Sequence, residues 1–60
     1  MDAKTKTVLI VEDNDLNLKL FTDLLSAAGY ATAAARDGRE AIVRLRELLP
    51  DLVLSGCMLG

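Results

Sequence analysis

This sequence predicts an α/β domain in which strands and helices alternate in the order βαβαβ. Three observations carry that reading. Thr7-Val8-Leu9-Ile10-Val11 is an unbroken β-branched and aliphatic run, apolar on both faces, as a buried parallel strand requires. Two stretches of helical apolar spacing follow, each bounded by cap or breaker residues. Short connections between alternating elements imply parallel strands joined by right-handed crossovers.

Each element follows from its residues. Residues 1–6 are polar and are expected to form a flexible N-terminus. The first strand stops at Glu12-Asp13-Asn14-Asp15, poor strand material that readily starts a helix. From Leu16 to Ala28 the spacing is helical. Leu16, Leu20 and Leu24 recur every fourth residue, and Phe21, Leu25 and Ala28 form a neighbouring stripe. Together they predict one broad apolar face on a helix of about 20 Å. Lys19 and Asp23 lie one turn apart on the polar side. Gly29 suits the C′ position, where positive φ is needed. Tyr30-Ala31-Thr32-Ala33-Ala34-Ala35 reads as a weak, alanine-rich strand at a sheet edge. Arg36-Asp37-Gly38 turns the chain into a second helix, Arg39 to Leu49. Ala41, Ile42, Leu45, Leu48 and Leu49 are expected to share its buried face, and Glu40 and Arg44 to pair across one turn. Pro50 ends this helix, and Asp51-Leu52-Val53-Leu54 reads as a third strand.

Composition narrows the function classes. The chain is 52% hydrophobic and 27% charged, which suits a packed domain and argues against disorder. At sixty residues its stability is expected to be a few kcal/mol at most. The net charge of −2, with no run of lysine or arginine, argues against nucleic acid or a membrane surface as partner. No apolar run reaches the roughly 20 residues of a membrane span, and the first residues lack the apolar core of a secretory signal. With one cysteine, Cys57, and no histidine, internal disulfides and Ser-His or Cys-His nucleophile pairs are excluded. A cytoplasmic location is the corresponding expectation.

The acidic cluster is the chemical feature. Open parallel sheets bind ligands outside the carboxyl ends of their strands, where Glu12 and Asp13 fall. Two readings stand side by side. The acids cap a helix and complement its dipole, or they hold a hard divalent cation such as Mg²⁺. Nucleotide binding fits poorly. Neither G-x-G-x-x-G nor G-x-x-x-x-G-K occurs, and the cluster would repel phosphate without a metal.

The ordered segments, however, are specific. Val8 to Asn14, Leu20-Phe21, Leu24-Leu25, Gly29-Tyr30, Asp37 to Ala41 and Pro50 to Leu54 together resemble the first half of a bacterial response-regulator receiver domain. The likeness is greatest to the single-domain DivK type that controls the cell cycle and polar differentiation. It covers about residues 6–54, with 7–60 as a truncated receiver-like domain.

The resemblance implies a CheY-like, flavodoxin-like doubly wound sheet in the order 2-1-3-4-5, here its βαβαβ half in the order 2-1-3. It implies phosphoryl transfer from a histidine kinase to an aspartate at the end of the third strand. Asp13 matches the family's direct Mg²⁺ ligand and Glu12 the second acid. The phosphoacceptor position is occupied by Gly56, and the family's following proline by Gly60. The expectation is therefore a chain that is no enzyme and does not accept phosphate. Mg²⁺ would bind weakly at most, through Glu12, Asp13 and a backbone carbonyl near Met58. Asp51 would sit at the opposite end of the sheet. Ser55 and Cys57 would point away from the site, since side chains alternate.

Further expectations concern partners. In the order 2-1-3 the third strand is an edge without charge or proline at Leu52, Val53 and Leu54. A homodimer that pairs these edges, or swaps helices, is expected. The resemblance also implies docking of the first helix on a histidine kinase or phosphotransfer protein. Three functional readings remain. One is a degenerate receiver acting as a protein-interaction module. Another is a shortened, non-functional copy of a phosphoaccepting DivK-type regulator, which the abrupt change at Ser55 favours. The third is an active phosphoacceptor that uses an unusual residue.

Overall fold

The computed structural model describes residues 5–55. Strand β1 (Thr7–Val11) leads to helix α1 (Asp15–Ala27), strand β2 (Ala31–Ala35), helix α2 (Gly38–Leu48) and strand β3 (Leu52–Ser55). The strands form one parallel sheet in the order β2-β1-β3, as expected. Thr7 aligns with Ala31 and Val11 with Ala35 on one side of β1, and Val8 aligns with Leu52 and Val11 with Ser55 on the other. Every element lies within one or two residues of its predicted span.

Two crossovers of one hand that run first to one side of β1 and then past it to the other place their helices on opposite faces. The packing agrees. Both helices contact β1 and β2, while among the described residues neither contacts the other and neither reaches β3. Leu9, Val11, Ala35 and Ala41 form the buried cluster on the α2 side, with Ala33 packed against it. Val8 and Ile10, also buried, alternate to the α1 side. The continuous apolar run of β1 is thus explained by its position as the middle strand, covered on both faces.

The helix ends follow their caps. Asn14 accepts from the backbone N–H of Asn17 at 3.0 Å, and Asp37 accepts from that of Glu40 at 2.8 Å. Both are N-cap residues satisfying donors that the helix leaves free. Helix α1 closes in a Schellman arrangement. Gly29, at φ 98°, donates to the Ser26 carbonyl, and Tyr30 donates to that of Leu25. Gly29→Ala meets open space yet imposes left-handed backbone on a residue with Cβ. We expect it to lower stability by about 1 kcal/mol in urea melts; an unchanged midpoint would contradict this.

Two expectations about buried faces are corrected. The Leu16, Leu20, Leu24 stripe does not face the sheet: these residues are 67%, 51% and 68% exposed. The half-buried set is Leu18, Phe21, Thr22 and Leu25. The reason is geometric, because a spacing of four overshoots one turn by about 40° each step, whereas steps of three and four alternate about the helix face. In α2 only Ala41 is buried, while Ile42, Leu45, Leu48 and Leu49 keep substantial exposure. Among the described residues, helix α2 lies over β1 and β2 alone, and Ala41 is its one buried residue. Ala28, assigned to the α1 stripe, is likewise exposed and forms the C-cap.

Candidate functional site

The carboxyl end of β1 carries the acidic loop. Glu12 continues the alternation of Val8 and Ile10 and is buried, at 3% exposure, while Asp13 turns outward to solvent. The backbone N–H of Glu12 donates to the Ala35 carbonyl at 2.9 Å, which ties the loop to the end of β2. One carboxylate oxygen of Glu12, Oε2, accepts from the Asn14 N–H at 3.0 Å. The other, Oε1, is buried and has no hydrogen-bond partner.

That orphaned oxygen is the most informative atom of the site. A buried carboxylate oxygen left without a hydrogen bond is costly even when its twin is bonded, and a cation or donor beside it would offset that cost. Glu12 and Asp13 supply hard oxygen donors of the kind that suit Mg²⁺. Among the described residues no third acid, cysteine or histidine joins them in a metal-binding group. Of the expected ligands, the described residues thus include the two carboxylates alone, and the backbone carbonyl near Met58 lies outside the described residues. The capping alternative is carried by other atoms, because the N-cap oxygen of α1 belongs to Asn14 and the first-turn acid is Asp15.

The neighbouring loop contributes a residue that the sequence reading passed over. Arg36 follows β2 as Glu12 follows β1, one position beyond the Val11–Ala35 pair. Its guanidinium meets Asp15 at 2.7 Å, and its backbone N–H donates to Glu40 Oε1 at 3.0 Å. Both Arg36 and Asp15 are exposed, so the pair orients the loops more than it stabilises them. The signal was present in the register, since residues immediately past aligned strand ends become neighbours. The Glu40–Arg44 pair forms as expected, at 3.8 Å, and Lys19 and Asp23, one turn apart, also pair, at 3.1 Å.

The remaining candidates are placed as follows. Ser55 ends β3, half-buried and aligned with Val11, so β3 delivers the chain to the same end of the sheet as the acids. Gly56, Cys57, Met58 and Gly60 lie outside the described residues. Asp51 sits at the opposite end, where its N–H donates to the Thr7 carbonyl and its Oδ2 accepts from the Thr7 N–H at 2.8 Å. A cleft of about 360 Å³ at that same far end is lined by Lys6, Val8, Tyr30, Asp51 and Leu52 and is separate from the acids. Leu52 and Val53 are exposed and Leu54 is half-buried, and among the described residues β3 is the end strand of the order β2-β1-β3. No helix among the described residues is long and apolar enough to cross a membrane.

Comparison with known proteins agrees with this geometry. Residues 8–60 match the family model for the response regulator receiver domain. The polar-differentiation response regulators DivK of Brucella ovis and Brucella suis are 58% identical over 50 residues, covering 83% of this chain and 41% of theirs. That of Brucella anthropi is 57% identical over 49 residues, covering 82% and 40%. The chain thus spans about two-fifths of the length of the curated relatives it matches.

Proposed function

Because this chain belongs to the response regulator receiver domain family, we propose that it is a receiver module of a two-component phosphorelay that works by contact and not by accepting phosphate. The observation that carries this is the orphaned Oε1 of Glu12 beside exposed Asp13, at the end of the sheet to which β3 also leads. The loop after β1 carries two acids, Glu12 and Asp13, of a kind suited to Mg²⁺. By the family's spacing, the position that should carry the nucleophilic carboxylate is Gly56. When bound, Mg²⁺ would neutralise charge on a phosphoryl group. Glycine has no side chain to form the acyl phosphate. With one carboxylate fewer, we propose Mg²⁺ binding no tighter than millimolar.

Helix α1 supplies the contact surface. Leu16, Leu20 and Leu24 line its exposed side, directly after the acidic loop, and an apolar helical stripe of this kind packs against partner helices. The proposed partner is the helical bundle of a histidine kinase or phosphotransfer protein, in the cytoplasm. Self-association of the sixty-residue chain through Leu52, Val53 and Leu54 belongs to the same proposal.

A titration of ¹⁵N-labelled chain with the phosphotransfer bundle of a DivK-type system tests the contact. Amide shifts are expected in residues 13–24, and Leu20→Glu is expected to weaken binding at least roughly tenfold while leaving the fold intact. Absence of binding by the folded wild-type chain would contradict the module and favour the shortened-copy reading.

A further inference from the structure

The residues along the outer edge of β2 are unusual for an edge strand. Ala31-Thr32-Ala33-Ala34-Ala35 contains no charge, no proline and no bulky side chain, the devices that normally prevent edges from pairing. Its position at the end of the order β2-β1-β3 does not depend on what lies beyond β3.

The hydrogen-bond pattern fixes which groups are available. Ala31 donates to the Lys6 carbonyl, and the Ala35 carbonyl accepts from Glu12. Residues 31, 33 and 35 therefore turn their backbone groups toward β1. By alternation, Thr32 and Ala34 turn theirs outward. Just beyond, Tyr30 N–H is spent on the Leu25 carbonyl and Arg36 N–H on Glu40 Oε1. The donors of the free edge are thus confined to Thr32 and Ala34.

We propose that this edge pairs with the same edge of a second copy, antiparallel about a two-fold axis at Ala33. In that register Thr32 of one copy lies opposite Ala34 of the other. Such a pair exchanges both N–H···O=C bonds, and the two-fold repeats it, giving about four bonds. The two Ala33 residues face each other as the close, non-hydrogen-bonded pair, where small side chains fit best. One step past the ladder, Tyr30 of each copy meets Arg36 of the other. Tyr30 is 41% exposed, and Arg36, although its terminal nitrogen holds Asp15, is exposed enough to offer its guanidinium face for stacking. No like charges are opposed along the strand.

The helices allow the arrangement. Each lies over β1 and β2, so each and its two-fold mate would be centred about two strand spacings apart, roughly 10 Å, a normal helix-packing distance. The second copy is thus an occupant that the strand's pattern, its flanking aromatic–cation complementarity and the helix spacing all fit. This inference goes beyond the proposed function and holds whether or not α1 docks a kinase.

The test uses the sixty-residue chain carrying Leu52→Pro, which closes the other edge. The Leu52 N–H faces outward, since the inward one belongs to Asp51, and proline is tolerated at a strand's first residue. Sedimentation velocity over a concentration series is expected to show a reversible monomer–dimer equilibrium. Ala34→Pro removes an outward donor without touching the β1 ladder, and is expected to weaken the dimer roughly tenfold or more while leaving the far-UV spectrum unchanged. With Cys57→Ser, the Ala33→Cys chain is expected to form an intermolecular disulfide on mild oxidation, because facing Cα atoms of such a pair are about 4.5 Å apart. A Leu52→Pro chain that stays monomeric at millimolar concentration, or a dimer in which Ala33→Cys does not cross-link, would overturn the proposal. The cross-link also decides the matter if Ala34→Pro fails to fold.

Discussion

Leu9→Ala is expected to unfold most of the chain at room temperature. Leu9 is 0% exposed at the centre of the middle strand and belongs to a small cluster completed by Val11, Ala35 and Ala41. Two of its partners are alanines, which cannot reach into the space a leucine vacates. Buried Leu→Ala changes cost about 3–5 kcal/mol when surroundings do not collapse. A chain of sixty residues is expected at the low end of about 3–9 kcal/mol, at roughly 0.05–0.15 kcal/mol each. Circular dichroism is expected to show a melting point at least 12 °C lower, on a scale of roughly 4–8 °C per kcal/mol. Leu16→Ala is the internal comparison: this residue is exposed, and the change is expected to fall within about 0.5 kcal/mol of wild type. Equal losses from the two variants would contradict the packing described for α1.

Glu12→Gln is expected to act in the opposite direction on stability and to weaken cation binding. The carboxylate is buried, one oxygen holds the Asn14 N–H, and the other has no partner. Glutamine can still accept from Asn14 and carries no charge that needs compensation. A buried neutral amide left without a partner costs less than a buried charge. Urea denaturation is expected to show a gain of about 1–2 kcal/mol. In the same variant, Mg²⁺-induced shifts of the Asp13 amide should weaken at least roughly tenfold, since under the proposed function the ion would lose one of its two charged ligands. A variant less stable than wild type would indicate that Glu12 is already satisfied in the folded chain. A gain in stability together with weaker cation binding would be the pattern expected of a local cost retained for function.

Much of the fold was legible in the residues. Thr7 to Val11 could only be a doubly covered strand, and Asn14, Gly29 and Asp37 mark helix ends by chemistry that acts within a few residues. The rotation of α1 was not legible, because Leu16, Leu20 and Leu24 are as apolar as the residues that face the sheet. Composition alone does not say which apolar stripe meets a neighbour and which is left for a partner. The acid pair was visible as a pair, but its asymmetry was not. Burial of Glu12 and exposure of Asp13 follow from strand alternation continuing one residue past β1, and the orphaned oxygen appears only once the loop is closed by Asn14 and Ala35. The Arg36–Asp15 contact depends on the register of β1 with β2, which no single segment encodes.

The central proposal is that this receiver domain carries the acid pair Glu12 and Asp13 without a carboxylate at position 56 to receive phosphate. Intact-mass measurement after incubation with a small-molecule phosphodonor and Mg²⁺ addresses it most directly. The mass of the folded sixty-residue chain is expected to remain unchanged; stoichiometric addition of one phosphoryl group would contradict the account.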